Sequence, residues 1–332
     1  MWSSQRELRW SALRQLIVTV ACLAAMGAIF WYQPTIVNLF NDALFGRGFV
    51  PSEYESKILS NYYTYGWYSL LFGWIGLEIS GFVLLWFKAK PDDYPEFQTR
   101  LRTLAQKEGI SPPTLIVLRG VGKILNAAAT QGLFSGRKVI VLGPIIEILA
   151  DKEQDYVAAH ELRHISGADI WMKIFVVVGN IALSLQKWAL LVSLIYDFAA
   201  YGWRELVFLL TTWGVLWGTH TIYKFLAAAH SRAREYAADI GAVEIVGWAD
   251  RVHLITGLAR IQHTLTGWRA FKIFHPDDGL FDSHPSVLRR AQALQLEVRD
   301  LGDGSVQIGG IVIESGDVVV DAATRGARLS HP

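Results

Sequence analysis

The pentapeptide His160-Glu161-Leu162-Arg163-His164 decides how this chain is interpreted, because on a helix it places two imidazoles one turn apart with a carboxylate beside them. Residues 155–159 lead into it without glycine or proline, which favours a helix. Both histidines can then bind one zinc ion, and Glu161 can act as a base on a water at the metal. Five residues can match by chance, so a metal site needs support from the rest of the chain.

The composition is that of a membrane protein. Of the 332 residues, 52% are hydrophobic, and 13 Trp and 12 Tyr fit a chain with aromatic side chains at the boundary of lipid and water. The net charge of +1, without a long basic run, argues against a nucleic-acid partner. The single cysteine, Cys22, excludes an intrachain disulfide and a cysteine zinc cluster.

Four apolar stretches are long enough to span the roughly 30 Å hydrocarbon core of a bilayer. A polar segment joins the first pair and a short turn over 197–202 joins the second, which gives two hairpins. Basic residues flank the outer ends of these hairpins, so both termini and the region between the hairpins are predicted to be cytoplasmic. The stretches lie near 13–31, 65–87, 170–196 and 203–226.

A competing interpretation makes residues 6–22 a cleaved signal peptide with Cys22 as a lipid-modified residue. It would leave an odd number of spans and change the topology of everything downstream. The apolar run continues beyond Cys22 to Trp31, however, which favours a membrane span.

The regions outside the apolar stretches are polar enough to form an aqueous domain. Proline residues at 112 and 113 end a predicted helix over 98–108, and β-branched runs at 114–118 and 138–142 predict a small sheet ahead of the helix that bears His160. After the last apolar stretch, the pattern predicts helices over 231–246, 250–264 and 286–298, and a β-hairpin that joins 306–308 to 318–320.

A catalytic zinc site needs a third protein ligand, and Glu235 is the best candidate. It lies on the helix predicted directly after the last apolar stretch, which must leave the membrane on the same side as His160. Asp239 is one turn further along the same face, where it can accept the ring N–H of a ligating histidine. The sequence therefore predicts one site built from two segments on either side of a membrane hairpin.

The pentapeptide, followed across a hairpin by Glu235-Tyr236-Ala237-Ala238-Asp239, resembles the HtpX-like integral-membrane zinc metalloproteases, whose wider HExxH gluzincin group includes the CAAX prenyl endopeptidases. The resemblance covers about residues 90–292 and the four-span layout. It implies an α+β, mainly helical fold, with four transmembrane helices in two hairpins and a cytoplasmic zincin-type domain that contains a small β-sheet. It also implies one Zn²⁺ per chain.

Four further residues take their roles from the resemblance alone. Asp169 matches an acidic position after the zinc helix, and Asn126, which opens Asn-Ala-Ala-Ala-Thr, matches a segment whose edge strand holds the substrate backbone. His284 and Arg290 match a His-Pro motif with an arginine six residues later, which faces the reacting peptide. His284 or Asn126 is expected to donate to the oxyanion, and Arg290 to anchor substrate or orient His284.

The implied function is hydrolysis of peptide bonds in membrane or misfolded proteins, with Glu161 as general base, in bacterial inner-membrane quality control and stress response. One alternative is a CAAX-type processing enzyme, which usually has more spans. Another is a non-catalytic scaffold, although a structural zinc has no use for Glu161. The sequence gives no oligomeric state. The chain is predicted to begin with a first hairpin over 1–90 and a first catalytic segment over 91–169. A second hairpin over 170–228, a second catalytic segment over 229–298 and a β-rich appendix over 299–332 follow.

Overall fold

The computed structural model describes residues 94–117, 127–131, 138–142, 149–166, 169–201, 203–266, 284–300 and 306–313, with residue 146 and scattered positions between 17 and 75. The chain divides into two units. One comprises Met1–Ile79 and Trp171–Ala233, and the other comprises Ser80–Ile170 and Arg234–Pro332. The second unit therefore contains both the pentapeptide and the segment that begins just before Glu235.

Helix α1, Pro95–Lys107, opens the described part of the second unit and begins slightly earlier than the predicted 98–108. Proline suits the first helical position because that residue needs no amide donor. Gly109, two residues beyond the helix, has a φ of 73° and stops it from continuing. The amide of Ile110 donates to the carbonyl of Ala105, as in a Schellman motif. Its buried side chains recur at helical spacing: Phe97, Leu101, Leu104 and Ala105.

A three-stranded sheet follows, made of β1 (Thr114–Val117), β2 (Ala127–Gln131) and β3 (Lys138–Leu142). β3 is central, with β1 parallel on one side and β2 antiparallel on the other. The two runs predicted as strands form β1 and β3, because β-branched residues suit a pleated surface. β2 lies at one edge of this sheet and packs against the next helix.

Helix α2, Asp151–Ser166, carries the pentapeptide. The carboxylate of Glu153 accepts the amide of Ala150 at 2.9 Å, which satisfies a backbone donor ahead of the first turn. Arg100 of α1 contacts Asp151 at 3.1 Å and Asp155 at 3.0 Å, which fastens α1 along the first turns of α2. A shared apolar core joins α2, α1 and helix α5 (residues 252–266), and it includes Phe97, Leu101, Val157, Leu162 and Ile261.

Later in the chain the structure describes α4 (Trp203–Val246), α5 (Val252–Thr266) and α6 (Val287–Ala293). The helix predicted over 231–246 is the last part of the long α4. Ser286 caps α6 by accepting the amide of Arg289, and the helix ends well before the predicted residue 298. The left-handed φ of 56° at the residue two beyond α6 explains this early end.

The C-terminal hairpin differs from the prediction. Strands β4 (Val298–Asp300), β5 (Val306–Ile308) and β6 (Ile311–Ile313) form an antiparallel sheet in that order. Gly309 and Gly310 have φ of 55° and 90°, the pair of positive values that a two-residue hairpin turn requires. β5 therefore pairs with the run directly after the glycines, and the predicted partner at 318–320 lies outside the described residues.

The described part of the first unit consists mainly of α3 (Asp169–Tyr201) and the part of α4 up to Ala233. α3 continues past the predicted end of the third apolar stretch at 196. An apolar core of this first unit includes Val37, Leu190, Phe208, Leu209 and Leu216. A hydrogen bond of 2.7 Å between His220 and Asn180 joins α4 to α3.

The four-span layout is not confirmed by the helices of this structure. The first two predicted spans fall mostly outside the described residues. Within the described residues, no helix combines the length and the hydropathy that crossing a membrane requires. The membrane topology therefore stays a prediction.

Candidate metal centre

Helix α2 presents His160 and His164 on one face. Their Nε2 atoms are 3.2 Å apart, and their rings meet edge to face with centroids 4.7 Å apart. Both side chains are buried, because the same helix packs into the apolar core on its other faces. The spacing of four residues thus produces the convergence that the sequence predicts.

Helix α4 brings Glu235 to the two imidazoles. Its Oε2 lies 3.4 Å from His160 Nε2, and its Oε1 lies 3.6 Å from His164 Nε2. The carboxylate is buried and belongs to the same unit of the chain as both histidines. Three potential ligand atoms from two helices therefore converge within 4.8 Å of one another.

These spacings fit a tetrahedral zinc site. Ligand bonds of about 2.0–2.1 Å at tetrahedral angles place neighbouring donor atoms about 3.3 Å apart. Here the two Nε2 atoms are 3.2 Å apart, and the carboxylate of Glu235 places Oε2 3.4 Å from His160 Nε2 and Oε1 3.6 Å from His164 Nε2. Two imidazoles and one carboxylate are also the donor set of a catalytic zinc, which leaves the fourth position for water or substrate.

A second layer of charged groups lies behind these ligands. Asp239 Oδ1 is 3.0 Å from His160 Nδ1, the distance of a hydrogen bond that would leave Nε2 free to bind metal. Arg290 Nε donates to Asp239 Oδ2 at 2.7 Å, and its Nη2 donates to Oδ1. Arg290 Nη1 is also 3.3 Å from Glu235 Oε2. One guanidinium thus contacts both carboxylates of the centre.

The ionisation states follow from these contacts. Burial opposes the charge on Asp239, but Arg290 and His160 outweigh it and lower the pKa of that carboxyl. Burial likewise opposes the charge on Glu235, and hydrogen bonds from His160, His164 and His284, with the charge of Arg290, hold its pKa well below the usual range. Both carboxylates are therefore charged at neutral pH, as metal binding and its support require.

Comparison with known proteins identifies the family. The model of peptidase family M48 matches residues 91–298. This chain belongs to peptidase family M48. It is 27% identical to a protease HtpX homolog of Thermococcus sibiricus over 276 residues, which are 74% of this chain and 85% of the relative. It is also 27% identical to protease HtpX of Cellvibrio japonicus over 248 residues, which are 68% and 83% of the two chains.

A solved structure matches part of the chain. It is the crystal structure of S. mikatae Ste24p, with a TM-score of 0.47 and 19% identity, matched over 80% of this chain and 66% of that one. Membership of the family makes the chain a metalloendopeptidase and implies a bound metal ion. His160, His164 and Glu235 are the group of donors that the described residues bring together for such an ion.

Other residues expected at an M48 site lie at different distances from it. Glu161 is buried next to His160 on α2. His284 precedes α6 and is 70% exposed, yet its Nδ1 is 3.5 Å from Glu235 Oε1, so it lies at the open side of the centre. Asn126 lies outside the described residues. Asp169 is the first residue of α3, and its side chain is likewise outside them.

Arg290 is buried beside the candidate metal centre. The sequence predicted a substrate anchor or a partner of His284, whereas the structure buries Arg290 and pairs it with Asp239. It lies on the inner face of α6, whose other buried residues are Val287 and Ala291. Two carboxylates, those of Asp239 and Glu235, hold the guanidinium there.

The sequence reasoning missed two basic residues near the ligands. Arg234 Nη2 is 3.3 Å from Nδ1 of His164, so a guanidinium faces the second histidine where a carboxylate faces the first. Arg163, inside the pentapeptide, crosses α4 and reaches Glu108. The clue to them in the sequence was position, since Arg234 precedes Glu235 and Arg163 precedes His164. A position next to a ligand does not reveal the direction of a side chain.

Proposed function

We propose that this metalloendopeptidase is a membrane-bound zinc enzyme in which Glu161 is the general base. The close approach of the two imidazoles and the Glu235 carboxylate, the donor set of a catalytic zinc, supports this proposal most strongly. When bound, zinc polarises the scissile carbonyl and lowers the pKa of a water. An open fourth position and a neighbouring carboxylate favour hydrolysis over a purely structural role for the metal.

Glu161 carries the proton of the reaction. As the oxygen of water bonds to the carbonyl carbon, the carboxylate of Glu161 accepts the proton that the water loses. When the C–N bond breaks, Glu161 delivers that proton to the leaving amine. Its burial beside His160 on α2 supports this role, because a fixed carboxylate shielded from solvent is oriented for proton transfer.

The other predicted residues bind substrate or support the ligands. His284, exposed at the open side, donates to the developing oxyanion, a role worth about 3 kcal/mol for one well-placed donor. The substrate pairs as an extended strand with the edge strand β2, next to Asn126. Arg290 and Asp239 hold Glu235 and His160 in place. Asp169 supports the end of the zinc helix.

Membrane and misfolded proteins are the substrates that we propose. Helix α3 exposes large apolar side chains at spacings of three and four residues, which form one stripe with exposed fractions between 42% and 66%: Val177, Ile181, Leu185, Trp188, Val192 and Ile195. Such a stripe on a water-soluble surface would be a liability, whereas lipid accommodates it. We therefore propose that the enzyme lies in the bacterial inner membrane with its catalytic unit in the cytoplasm.

Replacing Glu161 tests the assignment of roles. We expect Glu161→Gln to abolish cleavage of an unfolded reporter protein while zinc content, measured by atomic absorption, stays at about one per chain, since the amide cannot accept the proton but is no ligand. Glu244→Gln, an exposed change on α4, is the matched control and should cleave normally. Residual cleavage by Glu161→Gln, or loss of its zinc, would contradict the proposal.

A further inference from the structure

Arg163 crosses from α2 to α4 at Gly241. A Cβ atom at position 241 would lie 2.5 Å from Nε of Arg163 and 2.6 Å from its Cδ and Cγ. These distances are shorter than van der Waals contact allows, so the stem of the arginine occupies the space that any other residue would need. Glycine at 241 is therefore what permits the two helices to approach closely at this point.

The far end of Arg163 is fixed. Its Nη1 lies 2.5 Å from Oε1 of Glu108, the residue that caps the C-terminal end of α1, and that side chain is only 9% exposed. Ser166 at the end of α2 donates to the same oxygen. Because both ends of Arg163 are held, the stem cannot leave Gly241 without breaking an ion pair with a nearly buried carboxylate.

The crossing lies directly beside the metal ligands on both helices. Arg163 stands between Glu161 and His164 on α2, and Gly241 follows Asp239 by two residues on α4. In a well-formed zinc site the ligand distances lie within about 0.2 Å of their usual values. A small change in the separation or register of α2 and α4 would therefore pull His160 and His164 away from Glu235.

We propose that Arg163, seated on Gly241 and anchored by Glu108, is a positioning residue that sets the spacing of the two halves of the metal centre. This inference rests on the proposed zinc site. A second close approach to α2 is less tight: a Cβ at Gly257 of α5 would lie 3.2 Å from Cβ of Glu153. That approach is tight, but it joins α2 to a helix that bears no metal ligand, whereas the crossing at Gly241 joins the two helices that do.

Gly241→Ala tests the proposal through zinc affinity, measured by competition with a chromogenic chelator. We expect the affinity to fall about tenfold or more, the range seen when groups behind metal ligands are disturbed. kcat should fall more than KM rises, because the substrate-binding edge β2 is untouched. Gly218→Ala on the same helix, where an added Cβ meets no described atom within 4 Å, is the matched control and should bind zinc normally.

A double-mutant cycle separates this contact from a general loss of stability. In the Arg163→Ala background the obstacle is gone, so adding Gly241→Ala should change zinc affinity by less than about twofold, as for uncoupled sites. Circular dichroism and thermal unfolding of all four proteins check that each is folded. A cost of Gly241→Ala that is equal in both backgrounds would overturn the proposed contact.

Two further results have separate meanings. Wild-type zinc affinity and kcat in Gly241→Ala would overturn the positioning role and leave the zinc site intact. Failure of the wild-type protein itself to bind zinc would overturn the proposed function, and the positioning role with it. The wild-type titration therefore distinguishes the two failures before any variant is compared.

Discussion

Asp239 shows how one buried carboxylate serves two partners. One oxygen faces the ring nitrogen of His160, and both oxygens accept from Arg290. Nη2 of Arg290 is also 3.4 Å from the same ring nitrogen. The carboxylate of Asp239 is nearer and negatively charged, so it accepts the hydrogen bond of the ring N–H. The N–H at Nδ1 therefore points to Asp239, and Nε2 faces Glu235, where a metal ion would take the place of the ring proton.

Asp239→Asn should disrupt this arrangement. An amide offers one oxygen, so it cannot accept from His160 and from both donors of Arg290, and its NH₂ group faces a guanidinium. We expect zinc affinity to fall about 10- to 100-fold. The protein should also lose about 3–5 kcal/mol of stability, because the change removes one partner of a buried pair.

Chelator competition and thermal unfolding of the metal-free protein measure the two effects separately. Asp250→Asn is the control, since Asp250 is an exposed carboxylate paired with Lys152 and far from any ligand in the chain; it should leave zinc affinity unchanged. Unchanged affinity in Asp239→Asn would contradict the role that we assign to this residue.

At the scale of elements, two contacts outside the candidate metal centre help to join α2 and the end of α4. One is the crossing of Arg163 over Gly241. The other is a short hydrogen bond from the hydroxyl of Tyr156 to the carbonyl of Gly247, which follows α4 directly. Burial, opposed only partly by Arg251, raises the pKa of Tyr156 to about 12, so the hydroxyl keeps its proton and remains a donor at neutral pH.

Tyr156→Phe tests the second junction. The change keeps the ring in the core and leaves the Gly247 carbonyl without its donor, which should cost about 1–3 kcal/mol in a denaturant unfolding experiment. Because Gly247 is further along the chain from Glu235 than Gly241 is, kcat should change less than it does in Gly241→Ala. Tyr68→Phe, at a tyrosine that is 53% exposed, should leave the unfolding midpoint unchanged.

A larger effect of Tyr156→Phe than of Gly241→Ala would contradict this assignment. If Tyr156→Phe lowered zinc affinity more than Gly241→Ala did, the spacing of the ligands would be set from the end of α4. The crossing at Arg163 would then be a consequence of the helix packing instead of its cause.

At the scale of the whole molecule, the apolar stripe of α3 predicts where the protein is found. The full chain should remain in the membrane pellet after a wash with alkaline carbonate, because the stripe is stable only when lipid covers it. A double change, Leu185→Lys and Val192→Lys, places two charges in that stripe and should release protein into the supernatant, since each charge at the centre of a membrane helix costs about 3 kcal/mol.

Glu244→Lys, a charge change at an exposed residue of the catalytic unit, is the matched control and should stay in the pellet. Orientation needs a second measurement. A reporter enzyme fused after Pro332 should be active in the cytoplasm, as the flanking basic residues predict. Wild-type protein in the carbonate supernatant would contradict membrane insertion, and an external reporter signal would contradict the orientation.

Local patterns in the sequence were enough for much of the fold. Helical spacing places His160 beside His164 whatever surrounds them, and glycine, proline and β-branched runs mark α1, β1 and β3. The predicted hairpin partner of β5 was wrong because two runs of similar composition follow β5 in the chain. Only the positive φ of both glycines selects the nearer run.

The sequence by itself determined the donors of the candidate centre, because zinc chemistry demands particular side chains and a helix fixes the distance between two of them. Tertiary structure decided which layer each remaining residue occupies. It buried Arg290 against Asp239, left His284 exposed beside Glu235, and laid Arg163 across Gly241. These contacts join residues far apart in the chain, and their geometry depends on how helices pack, which no local pattern specifies.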